Sequence, residues 1–275
     1  MNSADIVNLD SKQLRAYINN HKEQDFLLID VRQPDEYKRT HIPGARPIPF
    51  PLVEEELPDL PKGKSLIFSC RSGIRSRAAA TLAREILGDD VAILNHIGGI
   101  LSWDGKTLSD LPKVRALGDV DNFTTVLTTG IDMEKAAWIF YHAVLKRFPN
   151  QPFSPAFTLL AQAETDHALK LYKLLGQRQT GLPDFDAVFA AAKGEVLEGG
   201  GSLQAAIDKL GTPQAADPIS LLDMALDIEY AAYELYRRGA EMANDPEIKD
   251  ILYDIAYGEK GHMRVLAGAF RYLSK

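Results

Sequence analysis

Apolar positions follow two regimes along the chain. In the first hundred residues, short continuous runs (Phe26-Leu27-Leu28-Ile29, Ser65-Leu66-Ile67-Phe68 and Val91-Ala92-Ile93-Leu94) alternate with segments of helical spacing. Such runs predict buried strands. Asp10-Ser11 supplies a cap for a helix through Asn20, and Gly73 through Leu87 is rich in Ala and Arg at helical spacing. Strand–helix alternation predicts an α/β domain with a mainly parallel sheet. From about Asp119 the pattern changes to long helical periods over 120–147, 154–176, 217–243 and 246–273, with no convincing strand. That pattern predicts an all-α four-helix bundle. The expected division is a domain at 1–113 and a second at 119–275, joined through 104–118, where Gly105, Pro112 and Gly118 lie. An irregular stretch at about 177–216, containing Gly199-Gly200-Gly201, is long enough to cross from the second long helix to the third.

At 275 residues, each half can bury its own core. With 45% hydrophobic and 25% charged residues the composition is that of an ordinary globular protein. No run approaches the roughly 18 apolar residues of a membrane span. The first ten residues lack a basic region followed by an apolar one, so the expected compartment is the cytoplasm. Charge is uneven. Residues 1–115 hold 16 Lys and Arg against 16 Asp and Glu, whereas 116–275 hold 15 against 22. The absence of a basic stripe argues against a nucleic-acid partner. The acidic surplus of the second half is either a solvated surface or a set of buried carboxylates neutralised by cations.

Cys70 is the only cysteine, which excludes an intrachain disulfide and any four-cysteine metal centre within one chain. A lone thiol is most often a small buried hydrophobe. Here it ends an apolar strand and is followed by Arg71-Ser72-Gly73-Ile74-Arg75-Ser76 and then a helix. Consecutive backbone N–H groups, a positive helix end and two nearby arginines all favour the thiolate. A cysteine phosphatase would need an arginine six positions after the cysteine, and that position is Ser76.

Several segments carry a resemblance: Leu28-Ile29-Asp30-Val31-Arg32, Asp35-Glu36-Tyr37, His41-Ile42-Pro43-Gly44-Ala45, Cys70 through Ser76, and Gly98-Gly99-Ile100 with Trp103. In this order and spacing, residues 1 to about 110 resemble a single-domain rhodanese. The resemblance implies a sulfurtransferase with Cys70 as nucleophile and a persulfide on Cys70 as intermediate. It makes Arg71, Ser72, Gly73, Ile74 and Arg75 the loop cradle, with Asp30 and Arg32 as supporting acid and arginine. A buried ion pair at the base of the loop is the plainer role for those last two. A binding-only version of the fold is the alternative for the domain, although such domains usually lack the cysteine.

The second half contains two Glu-x-x-His pairs, Glu164/His167 and Glu259/His262. On a helix, i and i+3 share a face, so each pair can aim at one point. Glu134 precedes Glu164 by 30 residues, Glu229 precedes Glu259 by 30, and the whole triplet recurs after 95. The flanks repeat too: Asp132-Met-Glu-Lys-Ala-Ala-Trp-Ile-Phe-Tyr141 aligns with Asp227-Ile-Glu-Tyr-Ala-Ala-Tyr-Glu-Leu-Tyr236. The half is an internal duplication of a helical hairpin. Two such hairpins packed together bring four carboxylates and two imidazoles into one core, the donor set of di-iron and di-manganese bundles. Without cations, four buried glutamates would repel one another and pay a large desolvation cost. Trp138, Tyr141, Tyr233 and Tyr236 lie one or two turns beyond the lone glutamates. Core packing is their expected role, redox relay the alternative. His21, His41, His96 and His142 match neither metal spacing and read as surface, capping or fold residues.

Residues 119–275 resemble the ferritin-like superfamily, most closely its rubrerythrin or erythrin branch. The resemblance implies a di-iron centre bridged by Glu164 and Glu259, with Glu134, Glu229, His167 and His262 as terminal ligands. Manganese or zinc could take the same donors. Rubrerythrins proper add an electron-donating domain with four cysteines, which this chain cannot build. They also often carry a further glutamate one turn past the third-helix ligand, where Ala232 stands. The resemblance thus implies a bifunctional protein, a sulfurtransferase joined to a di-iron domain redox-active toward peroxide or dioxygen. Its expected partners are a small sulfur donor, a thiol or cyanide acceptor and an external electron donor. A homodimer is expected, with no nucleic acid and no membrane. The alternative is a non-enzymatic iron-binding or sensing protein with a docking rhodanese domain.

Overall fold

The structure, a computed structural model, describes residues 6–212 and 217–271. The chain forms two compact units, Met1–Leu111 and Pro112–Lys275. The expected connecting segment 104–118 is divided between them. Leu108 pairs with His41 through two backbone hydrogen bonds of 2.8 and 3.0 Å within the first unit. A 3-10 turn at Val114–Leu117 buries Leu117 in the core of the second.

The first unit runs β1 (Val7–Leu9), α1 (Ser11–Asn20), β2 (Phe26–Asp30), α2 (Pro34–Arg39), β3 (Arg46–Pro47), α3 (Val53–Glu56), β4 (Ser65–Ser69), α4 (Ile74–Leu87), β5 (Ile93–His96) and α5 (Gly99–Ser102). The strands form one sheet in the order β1-β5-β4-β2-β3, every pairing parallel. The apolar runs are continuous because both faces are covered. Leu27, Ile29, Leu66 and Phe68 pack with Ala79, Ala80 and Ala83 of α4. Phe26, Leu28 and Ile67 pack on the other face with Leu14 and Ile18 of α1. Asp10 caps α1 in a reciprocal box with Gln13, at 2.7 and 2.9 Å.

The edge strands β1 and β3 are too short to leave a pattern. β5 runs two residues later than the apolar run suggested, because its last two positions are buried polar side chains held by hydrogen bonds. Asn95 donates to Asn8 at 3.0 Å, and His96 lies between Ser11 and Ser69 at 3.0 and 2.9 Å. Burial holds the His96 ring neutral, with its pKa lowered to about 4.

The second unit holds four helices of 25 residues: α6 (Phe123–Arg147), α7 (Ser154–Arg178), α10 (Pro218–Met242) and α11 (Pro246–Phe270). Asn122, Asp217 and Asp245 cap three of them, two with proline in the first turn. Two apolar clusters occupy the two ends of the bundle. One joins the first half of α6 to the second half of α7, and the other does the reverse. The predicted ligands lie between these clusters.

The crossover is more ordered than its sequence suggests. It contains α8 (Phe185–Ala191), a hairpin of β6 (Val196–Leu197) and β7 (Gly201–Ser202), and α9 (Leu203–Lys209). Its residues 213–216 lie outside the described ones. The segment is fastened along α6. The amides of Lys193 and Gly194 donate to Asp132 at 2.7 and 3.1 Å, Leu197 enters the core, and Arg147 reaches the carbonyl of Ile207 at 3.1 Å. No helix among the described residues is long and apolar enough to cross a membrane.

Candidate active-site loop and candidate metal centre

Cys70 follows the last residue of β4, the middle strand, and its loop turns directly into α4. Parallel α/β sheets place their sites at this carboxyl edge. Two features shape the loop. The amides of Ile100 and Leu101 hold the carbonyls of Cys70 and Arg71, at 2.9 and 3.1 Å, and so turn the peptide dipoles away from the sulfur. A Cβ on Gly99 would sit 2.4 Å from the Cys70 carbonyl, so only glycine permits this approach. Gly73 caps α4 at φ +93°, a left-handed conformation that suits glycine, and its amide donates to Cys70 Sγ at 3.1 Å.

Burial pushes the Cys70 thiol up. Ser76, whose hydroxyl has no other partner among the described residues, and the amides of Ser72, Gly73 and Ser76 more than offset this and bring it below its ordinary value. The sulfur is buried, whereas Arg71, Ser72 and Ile74 are exposed around it. Arg75 donates two hydrogen bonds to Glu36, both 2.8 Å. That pair lowers the Glu36 pKa to about 2. Asp30 and Arg32 form a buried ion pair at 2.6 Å, and Arg32 also donates to the Thr40 carbonyl at 2.6 Å. Asp30 is in register with Ser69, so the pair braces the strand ends beneath the loop rather than touching the sulfur. Sequence reasoning missed Glu36 and Ser76 as site residues; the motif contains both, but neither carries a spacing that marks a role.

In the bundle, the structure brings together all six predicted ligands. Glu134, Glu164, Glu229 and Glu259 are at most 1% exposed, and His167 and His262 only 4% and 6%. Glu259 sets one oxygen against each imidazole, 3.1 Å from His167 Nδ1 and 2.8 Å from His262 Nδ1. Glu164 does likewise at 3.6 and 3.4 Å. Glu134 stands 3.6 Å from His167, and Glu229 stands 2.9 Å from His262. Two carboxylates between two imidazoles, each flanked by one terminal carboxylate, is the arrangement that two metal ions require.

The donors are also left incomplete by the protein. Glu134 Oε2, Glu164 Oε2, His167 Nδ1 and both oxygens of Glu259 are buried without a hydrogen-bonded partner among the described residues. Orphaned acceptors at this density are costly unless a cation meets them, so the residues fit a di-metal centre. In the metal-free protein burial raises Glu164 well above the carboxylate range and Glu229 to about 7. Burial acts on Glu259 too, yet the two flanking imidazoles hold it low, and the carboxylates in turn raise both histidines.

Surrounding groups fix the candidate ligands. The Tyr236 hydroxyl donates to Glu134 at 2.6 Å, and the Tyr141 hydroxyl to Glu229. Both tyrosines are fully buried. A Cβ on Gly258 would lie 2.4 Å from His167 Nε2, so α11 receives the ring only because it has no side chain there. With Nε2 against that backbone, Nδ1 faces the carboxylates. Sequence reasoning did not find Gly258, nor a buried fifth carboxylate, Glu198, whose oxygen clusters with those of Glu134 and Glu164.

Comparison with known proteins divides the chain at the same place. The sequence model of the rhodanese-like domain matches residues 10–106, and that of rubrerythrin matches residues 125–270. A sulfurtransferase of Allochromatium vinosum is 37% identical over 81 residues, 29% of this chain and 73% of the relative. A thiosulfate:glutathione sulfurtransferase of Saccharomyces cerevisiae is 30% identical over 95 residues, 30% of this chain and 68% of the relative. Longer relatives are matched over less of their length, 42% for a putative sulfur carrier protein of Bacillus subtilis. Among solved structures, a Bacillus halodurans protein is 30% identical, with a TM-score of 0.31, over 38% of this chain and 77% of the other.

Proposed function

We propose a function that starts from family membership: the chain belongs to the rhodanese-like domain family over residues 10–106 and to the rubrerythrin family over residues 125–270. The first unit is a sulfurtransferase and the second a di-iron-type domain. In the sulfur step, the Cys70 thiolate attacks the sulfane sulfur of a donor such as thiosulfate. The donor's S–S bond breaks, sulfite leaves with the electron pair, and Cys70 carries a persulfide. A thiol or cyanide then takes the outer sulfur, and the Cys70 thiolate is regenerated. The observation that supports this step is the Gly73 amide 3.1 Å from Cys70 Sγ, in a loop whose carbonyls are tied back.

In the second unit, Glu164 and Glu259 would bridge two irons, with Glu134, His167, Glu229 and His262 as terminal ligands. Such a pair supplies two-electron redox chemistry toward peroxide or dioxygen when bound. The chain's own part is to hold the ligands in a dry core and, through the hydroxyls of Tyr141 and Tyr236, to donate a hydrogen bond to one oxygen of Glu229 and of Glu134. The buried orphaned donors support this reading.

The test treats the two units independently. Cys70→Ser should abolish transfer from thiosulfate to cyanide and leave iron content unchanged. Glu164→Ala should do the reverse, keeping transfer and losing peroxide consumption by the reduced, iron-loaded protein. Sustained turnover should need an added electron donor. Full transfer by Cys70→Ser would end the sulfur assignment. Iron without transfer or peroxide turnover would mark an iron-binding protein instead of an enzyme.

A further inference from the structure

The crossover contributes a charged side chain to the bundle core. Leu197 and Gly200 close a tight turn, N to O 2.9 Å, and Glu198 occupies it. Gly199 has φ +84°, and a Cβ there would stand 2.5 Å from Ala231 Cβ, so the turn's backbone lies directly on α10. This close seat drives Glu198 inward until it is only 4% exposed. Its Oε1 has no hydrogen-bonded partner among the described residues. Carboxylate oxygens of Glu198, Glu134 and Glu164 lie within 4.8 Å of one another. A buried carboxylate seated against two more, with one oxygen unsatisfied, is the arrangement a cation resolves.

We propose that Glu198 is a seventh metal-binding residue, a third carboxylate for the ion held by Glu134 and Glu164. The inference rests on the reading of the four helices as a di-metal site. Its consequence is inequality. The duplicated hairpins offer each ion an equivalent set, but the chain has a single crossover, so one ion alone receives Glu198. The hydrogen bonds from Lys193 and Gly194 to Asp132, two residues before Glu134, hold that segment to the same helix as the ligand it joins. Five carboxylates against two divalent ions leave one surplus negative charge, which favours the more highly charged, oxidised metal pair.

The experiment is an anaerobic titration of metal-free protein with cobalt(II), read by visible absorption and by competition with a chelator. Wild type should take up two ions. Glu198→Gln, which keeps the side chain's shape and can still hydrogen-bond, should hold one ion about 10–100-fold more weakly and the other as before. The band of the weakened ion should also change as it loses a ligand. In the iron-loaded form the same variant should have a higher midpoint potential. Melting of the metal-free variant checks that it folds, and removing a buried charge should make it at least as stable as wild type. If Glu198→Gln binds both ions with wild-type constants and spectrum, Glu198 is not a ligand and the proposal falls while the helical site stands. If wild type takes up no cobalt, both fall.

Discussion

Tyr236 on α10 donates its hydroxyl proton to Glu134 on α6 at 2.6 Å, and the duplicated position, Tyr141 on α6, donates to Glu229 on α10. Each hairpin therefore supplies the hydrogen bond that orients the other hairpin's lone carboxylate. Removing one donor leaves a buried oxygen without a partner, a loss of about 1–3 kcal/mol. Tyr236→Phe should lower the unfolding free energy of the metal-free protein by that amount, read as a lower urea midpoint at unchanged slope. The loaded protein should lose the ion beside Glu134 more readily to a chelator, by about tenfold. Denaturation and chelator-release curves on wild type, Tyr236→Phe and Tyr141→Phe measure both, and the two variants should affect different ions.

Gly258→Ala is a test of shape. Alanine is the better helix former by roughly 0.5–1 kcal/mol, so helix propensity alone would stabilise α11. The added methyl would lie 2.4 Å from His167 Nε2 and displace the ring. The expected outcome is a folded protein with a normal circular dichroism spectrum and about half the wild-type metal content by elemental analysis. Two tightly held ions in this variant would show that His167 is not fixed by that contact.

Metal removal should reverse the pH dependence of the bundle's stability. In the metal-free protein, Glu229 titrates near 7 against 4.5 for the free residue. A carboxyl whose pKa is raised on folding stabilises the fold while protonated. Its contribution is complete below 4.5 and is lost as pH rises through about 7. Glu164 and both histidines shift in the same direction, and only Glu259 opposes them. The melting temperature of the chelated protein should thus fall between pH about 5 and about 7.5. That of the loaded protein should rise over the same range, because the ligands must be deprotonated to bind. Calorimetry at several pH values tests the crossing.

The loop should show its own titration. As Cys70 is the only cysteine, the difference in thiolate absorbance between wild type and Cys70→Ser reports it alone. Its midpoint should fall below that of an ordinary thiol and should rise in Ser76→Ala. A midpoint unchanged by that substitution would remove Ser76 from the site.

Glu36 gives a signature at lower pH. Its pKa is depressed to about 2 by Arg75, so the pair stabilises the protein above 4.5 and the gain disappears as pH falls toward 2. Both side chains are partly exposed, which limits the gain to about 1 kcal/mol or less. Glu36→Gln should cost that amount near neutral pH and progressively less as the pH falls toward 2, in urea unfolding curves of the protein.

Much of this was legible because it is periodic. The 95-residue recurrence of Glu134, Glu164 and His167 announced both hairpins and the six side chains that meet between them, since on a helix spacing fixes direction. The strand before Cys70 and the helix after it were equally plain. Glu198 was not. Its repeat-related position would be Trp103, in the other unit, so the duplication is silent about it. A carboxylate in a turn acquires its direction from what the turn rests on, here Ala231, and no local pattern encodes that contact. The one available signal was the run Gly199-Gly200-Gly201, which marks a tight turn but not its destination. Edge strands β1 and β3 failed for another reason: at three and two residues they are held by neighbours rather than by their own apolar content.

The reciprocal tyrosines bear on how the chain acquires its shape during synthesis. α6 and α7 leave the ribosome as a complete hairpin, with mostly local contacts that form quickly, while α10 is still some forty residues away. At that stage Glu134 has no Tyr236 and His167 has no Glu259, so the nascent hairpin presents an acidic, hydrated face and half a cage. Only the arrival of α10 and α11 strips the water from it. The last event in maturation is therefore the docking of two preformed halves, and a cation present at that moment would be trapped by the same movement that excludes solvent.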